Sequence, residues 1–166
     1  MTTNASIVIF DFNSDCDISQ WYETNDNVMG GISTSRMKLD KNGNGVFSGN
    51  VSTANNGGFA MTRLPLNIKL SNDSKKIILR ALGDNKKYQF RIKSSYSQRY
   101  WYVQSFQTSN EMKDIELPLK DFYPSFRGYK LNQENFSSSS INEIAILVGN
   151  KKNEDFKLVI DKITIK

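Results

Sequence analysis

Apolar residues recur at every second position along most of this chain, and a period of two confines it to β structure. Tyr88, Phe90 and Ile92 alternate with Gln89, Arg91 and Lys93, as in a strand with one packed side and one wet or ligand-facing side. Ile7 and Ile9 alternate with Val8, Phe10 and Phe12, and a first strand there gives way to the turn-rich segment 13–17. Segment 40–45, rich in Asn and Gly, predicts a hairpin between strands at 32–39 and 46–52. Further strands are expected from Phe59 until Pro65 interrupts the ladder, at 76–82, at 100–106 and at 114–119, where Pro118 marks an edge or a strand end. The run 144–148 is apolar on both parities and reads as a buried central strand. The last strand, 156–165, changes parity at Asp161 and Lys162, which predicts a bulge. One short helical turn is expected near 18–22, and 120–135, which lacks either period, is expected to be a long ordered loop or a short helical turn. Roughly eight to ten strands without a strand-helix-strand rhythm predict an all-β fold, a two-sheet antiparallel β-sandwich of jelly-roll type, as one domain over 1–166.

Several chemistries are removed at the outset. The chain has no His, so His-based catalysis and the usual zinc and haem ligands are unavailable, and the single Cys16 forms no internal disulfide. Its acids are scattered, so spacing offers no carboxylate pair for glycoside hydrolysis. Asn and Asp at 13–17 and 25–27 could offer oxygens to Ca²⁺, but without the ordered spacing of a calcium loop, and no cofactor is expected. The net charge of +5 is a mild excess. Lys75-Lys76, Lys86-Lys87 and Lys151-Lys152 sit beside turn residues and read as solvated edges, not as a nucleic-acid stripe. With neither a leader-like apolar start nor a run of about 18 apolar residues, the expectation is a soluble, cytoplasmic domain without membrane insertion.

Two stretches have the same build: polar residues, paired glycines, then a strand start. They are 25–33, with Gly30-Gly31, and 55–60, with Gly57-Gly58, and together they are expected to form one rim. The aromatic residues are the more informative feature. Trp21, Tyr22, Tyr88, Tyr96, Tyr100, Trp101, Tyr102, Phe122, Tyr123, Phe126 and Tyr129 could build a platform for sugar rings or anchors for a protein partner. Alternation requires that about half of them are core, and in 100–102 either the tyrosines or the tryptophan must face outward unless both faces are covered. Arg63, Arg91 and Arg127 could join such a surface as planar donors.

Trp21, the segment 25–33, Phe47 with 48–52, Asn56-Gly57-Gly58-Phe59-Ala60, Leu117-Pro118 and the segment 122–128 together resemble the complex I intermediate-associated protein 30 family, over nearly the whole chain. The resemblance implies a galactose-binding-like jelly roll, similar to certain carbohydrate-binding modules. It also implies a role like that of the mitochondrial members, assembly factors for respiratory complex I. Neither mitochondrial import nor nucleotide binding carries over, since the chain shows no transit peptide and no G-x-G-x-x-G segment opening a helix. On this basis Trp21, Asp26, Met29, Asn56, Phe59, Arg63 and Arg127 match the family motif, and Arg91 and Tyr102 join them as expected ligand- or partner-binding residues. The expectation is a non-catalytic binding module for a protein partner, such as a subunit of a respiratory or other membrane complex; the alternative is a saccharide held on an aromatic face.

Overall fold

The computed structural model describes residues 6–25, 33–54 and 58–166, which form two antiparallel sheets packed face to face. The smaller sheet runs β3 (Thr34–Leu39), β4 (Gly45–Val51), β13 (Glu154–Ile165), β6 (Lys76–Leu82), β9 (Lys113–Pro118), and β1 (Ile7–Asp11) pairs with the end of β13. The larger runs β11 (Tyr129–Lys130), β10 (Tyr123–Phe126), β8 (Trp101–Gln107), β7 (Lys87–Lys93), β12 (Ser140–Val148), β5 (Ala60–Lys69), β2 (Tyr22–Asn25). This is the all-β jelly-roll sandwich that the alternation predicts.

The core lies between the sheets. Phe47, Leu79, Leu158, Ile160 and Ile163 from the smaller sheet meet Leu64, Phe90, Ile92, Ile144 and Ile146 from the larger, all at 2% exposure or less. Strand β13 keeps its apolar side inward by one irregularity: the register shifts between Ile160 and Lys162, so that Phe156, Leu158 and Ile160 hand over to Ile163 and Ile165. At Gly49 a Cβ would run into the Thr34 carbonyl, so glycine is what lets β3 lie close against β4 there. The backbone N–H of Met37 on β3 donates to Glu23 Oε1 on β2, which ties the edge of one sheet to the edge of the other.

Two expectations are corrected. Strand β5 runs on through Pro65, because Pro65 stands opposite Glu143 beside a register shift, where Leu66 and Asn67 of β5 face Asn142 alone and the irregular ladder tolerates the missing N–H. The segment 120–135, expected to be a long ordered loop or a short helical turn, begins in a 3-10 turn at Leu119–Asp121 but continues as the β10–β11 hairpin, which was not expected. Arg127 and Gly128 both take positive φ, 51° and 84°, the backbone of a two-residue hairpin turn. The short turn near 18–22 is a 3-10 turn at Ile18–Gln20, with Asp17 accepting from the Ser19 hydroxyl and from the Ser19 N–H; these two bonds, the hydroxyl's first, hold the Asp17 carboxyl below its ordinary range. Among the described residues no group of acids, His or Cys gathers to hold a metal ion, and no helix is long and apolar enough to cross a membrane.

Tyr88 links three elements. It is buried, and its hydroxyl donates to the Asp84 carboxylate at 3.0 Å, while Asp84 also accepts from the Lys157 N–H at 2.9 Å. Burial, then the Asp84 charge, pushes the Tyr88 pKa far up, so the folded protein holds this phenol proton above pH 10, where the unfolded chain releases it. The stability Tyr88 contributes is therefore present below about pH 10 and declines at higher pH by up to about 1.4 kcal/mol per unit. Urea unfolding of wild type and Tyr88→Phe at pH 8, 10 and 11 is expected to show the wild type ahead at pH 8 and its lead shrinking above about pH 10. A lead that stays constant would contradict this.

Candidate functional site

Alternation places one set of side chains on the outer face of the larger sheet. Gln89, Arg91 and Lys93 project there from β7, opposite the inward Tyr88, Phe90 and Ile92. Register then lines up its neighbours: Tyr22, Arg63, Ala145, Arg91, Val103 and Tyr123 stand side by side across β2, β5, β12, β7, β8 and β10. The adjacent row sets Glu143 between Pro65 and Lys93. Met61, Trp101, Val103, Ala145 and Leu147 form a small apolar cluster on this face, with Phe59 and Tyr123 packed against it.

At the centre is Glu143, 7% exposed. Arg63 grips both carboxylate oxygens, Nε to Oε2 and Nη2 to Oε1, each at 2.9 Å, and the Tyr22 hydroxyl donates to Oε2 at 3.0 Å. The Arg63 guanidinium lies 5.1 Å from the centre of the Tyr22 ring and 5.2 Å from that of Trp101, while Lys93 Nζ lies 4.5 Å from the Trp101 ring. Burial works against the Arg63 charge, but the Glu143 bond and charge outweigh it and hold its pKa above the ordinary value. For Tyr22, burial and donation to Glu143 both push the pKa up. Burial pushes Lys93 down.

Arg91 sits differently. Its Nε and Nη2 donate to Gln89 Oε1 at 3.0 and 2.7 Å, and among the described residues no carboxylate pairs with it. Burial lowers its pKa to about 10. Beside the Glu143 cluster a cleft of about 250 Å³ is bounded by Tyr22, Arg63, Pro65, Lys93, Ser95, Tyr96 and Glu143. Tyr22 and Tyr96, 41% and 72% exposed, present their rings at its edge, and the Tyr96 hydroxyl is steadied by the Leu66 carbonyl. A larger cleft, about 550 Å³, lies among residues 70–76, 118–120 and 136–139; serine and lysine line it without an acid or an exposed ring. The smaller cleft is the better site because aromatic faces, cations and a held carboxylate converge on it.

Of the residues expected from sequence, Arg63 and Arg91 share this face and Phe59 packs at its margin. Trp21 is not with them: it is 5% exposed, stacked on Phe12 and edge-on to Phe10 inside the sandwich. Tyr102 points to the other side of β8, packed edge-on against Tyr100 and Phe136, and burial followed by its bond with Tyr100 pushes its pKa up to about 12. Trp101 is the outward one of the pair. Arg127 occupies the β10–β11 turn, its guanidinium 5.2 Å from the Phe126 ring. Asp26, Met29 and Asn56 lie outside the described residues, as do most of the two glycine stretches expected to share a rim. Glu143 and Lys93 were not among the expected site residues, although Glu143 is the one acid in β12, beside its apolar run 144–148, and Lys93 follows Arg91 on the same parity.

Comparison with solved structures finds the same sandwich fold in carbohydrate-binding modules and in larger glycan-acting proteins. A family 11 module from Clostridium thermocellum in complex with a β-1,3-1,4-mixed-linked tetrasaccharide superposes with a TM-score of 0.73 at 19% identity, over 99% of this chain and 96% of the module. An exo-β-agarase gives a TM-score of 0.60 at 12% identity, over 96% of this chain and 25% of that one. A glycoside hydrolase domain of Endo-D from Streptococcus pneumoniae R6 gives 0.55 at 13% identity, over 88% of this chain and 21% of that one. Identities this low establish a shared fold. No curated protein sequence matches the chain. Residues 10–160 match the model of the family described as Complex I intermediate-associated protein 30.

Proposed function

The chain belongs to the complex I intermediate-associated protein 30 family, and from that premise we propose a non-catalytic binding domain whose ligand, a saccharide, occupies the outer face of the larger sheet. The observation that carries this reading is the cleft beside Glu143, where two exposed phenol rings flank a polar floor. Flat rings accept the C–H faces of sugars, and Arg63, Lys93 and Ser95 supply donors for hydroxyl groups. The likeness in fold to a module described in complex with a tetrasaccharide supports the same reading. Binding without turnover fits Glu143, whose two oxygens are committed to Arg63 and Tyr22, so that it is poorly placed to serve as acid or base. Among the described residues no second carboxylate lines the cleft, which glycoside hydrolysis would need.

A glycan array, followed by titration calorimetry on any hit, tests the proposal. The wild type is expected to bind at least one oligosaccharide, and Tyr96→Ala, whose ring is mostly exposed, is expected to weaken that binding about tenfold while leaving the melting temperature unchanged. Binding to no glycan would overturn it. A second reading, a protein partner in the manner of an assembly factor, is favoured by family membership and by the β10–β11 tip, where Phe126 and Tyr129 are 38% and 78% exposed beside Arg127. A partner captured by the wild type and lost in Phe126→Ala with Tyr129→Ala would support it.

A further inference from the structure

We propose that the outer face of the larger sheet selects sugars carrying a carboxylate, uronic acid residues, with Arg91 and Lys93 as the cations that read the charge. The proposal rests on the saccharide reading above and narrows it. Arg91 and Lys93 stand two positions apart on β7, about 6.6 Å along the strand, and both project outward. On either side of Arg91 the register places Ala145 and Val103, with Tyr123 beyond, none of which offers a negative charge. The nearest acid on the face, Glu143, is already gripped by Arg63. Lys93 lies over Trp101 and Lys130 lies 5.6 Å from the Tyr123 ring centre; like Arg91, neither forms an ion pair among the described residues.

Among the described residues the partly buried Arg91 guanidinium is held by one amide oxygen and meets no carboxylate, so its charge is uncompensated there. Its fork retains free N–H groups of the geometry that a carboxylate meets with two parallel hydrogen bonds. Gln89 fixes the fork in place beforehand, so little side-chain freedom is lost when an anion arrives. Lys93 lies within the electrostatic reach of Glu143 and Arg63 and borders the cleft, so one sheet face offers ring surfaces at Tyr22 and Tyr96 next to cations that form no ion pair among the described residues. A neutral sugar would use the rings and leave the charge unmatched, whereas a uronic acid uses both.

The test uses oligogalacturonate, oligomannuronate and unsulfated hyaluronan oligosaccharides, each as the free acid and as its methyl ester, which keeps the backbone and removes the charge. Titration calorimetry is run with wild type, Arg91→Gln, Arg91→Lys and Lys93→Gln on the full chain, with thermal unfolding to confirm folding. At least one acid is expected to bind about tenfold or more tightly than its ester, with the advantage declining as salt rises. That advantage is expected to vanish in Arg91→Gln and to fall partway in Arg91→Lys and Lys93→Gln. Equal binding of acid and ester, or array binding by neutral glycans alone, would overturn the acid preference and leave the saccharide reading standing; binding to no glycan would overturn both. An unchanged preference in a folded Arg91→Gln would remove Arg91 from the site. Polyglutamate competing as well as the sugar acid would overturn a sugar ligand in favour of an acidic peptide.

Discussion

Glu143→Ala is expected to destabilise the protein by about 3 kcal/mol, a fall of roughly 6–12 °C in melting temperature for a chain of this size. The carboxylate is 7% exposed and accepts three hydrogen bonds, two from Arg63 and one from Tyr22. Removing it strands a partly buried guanidinium and a phenol, and the cost of an unpaired charge exceeds the net value of the pair that is lost. The Arg63 side chain retains 22% of its exposure, so water recovers part of the loss and the estimate sits at the low end for buried pairs. Glu143→Gln, which keeps one acceptor, is expected to cost less, and Arg63→Met in the Glu143→Gln background should be milder than the sum of the single changes. Thermal and urea unfolding decide it: a Glu143→Ala protein within about 0.5 kcal/mol of wild type would show that solvent, not Arg63, satisfies this carboxylate.

Trp21→Ala is expected to cost about 3–5 kcal/mol, enough to leave much of the protein unfolded at 37 °C. The indole is 5% exposed, and its ring centre lies 5.7 Å from those of both Phe10 and Phe12, so its removal leaves a cavity in the core. Its indole N–H is buried and has no hydrogen-bond partner among the described residues, so the ring is held by packing alone. Trp21→Phe should therefore recover most of the loss. Ligand binding by the folded fraction of Trp21→Ala is expected to match wild type; lost binding at an unchanged melting temperature would move Trp21 from the core to the site.

The sandwich was legible because period-two alternation survives wherever one side of a strand is packed. It showed in Tyr88, Phe90 and Ile92, and it located the irregularity of β13 at Asp161, where an inserted residue must change parity to keep Ile163 inside. It failed where strands are too short to repeat: β2, β10 and β11 have four residues or fewer, and Pro124 masks what pattern β10 has. Pro65 misled for a related reason, since the register shift that accommodates it exists only in the pairing of β5 with β12 and does not show in the local sequence. The site was half legible. Arg63 and Arg91 were evident as arginines on strand parity, but Glu143 becomes a partner of Arg63 only through pairing of β5 with β12, eighty residues apart in the chain. Which member of 100–102 faces outward was likewise undecidable from alternation, which gives the same pattern for either parity; the pairing of β8 with β7 and β10 decides it.

The place of β13 has a consequence for how this domain can be made. One side of that strand carries β4 and, past Asp161, β1; the other carries β6. The smaller sheet thus has its hub in the last strand of the domain to leave the ribosome. Until residues 154–165 emerge, β1, β4 and β6 each lack their principal neighbour, and a nascent chain offers open edges that other chains could join. Folding should wait for that final segment and then close long loops at once, which is slow for a sheet of such distant partners. Shortening the chain by a few residues at Ile163 or Ile165 would then act on yield and aggregation in the cell well before it altered any ligand contact.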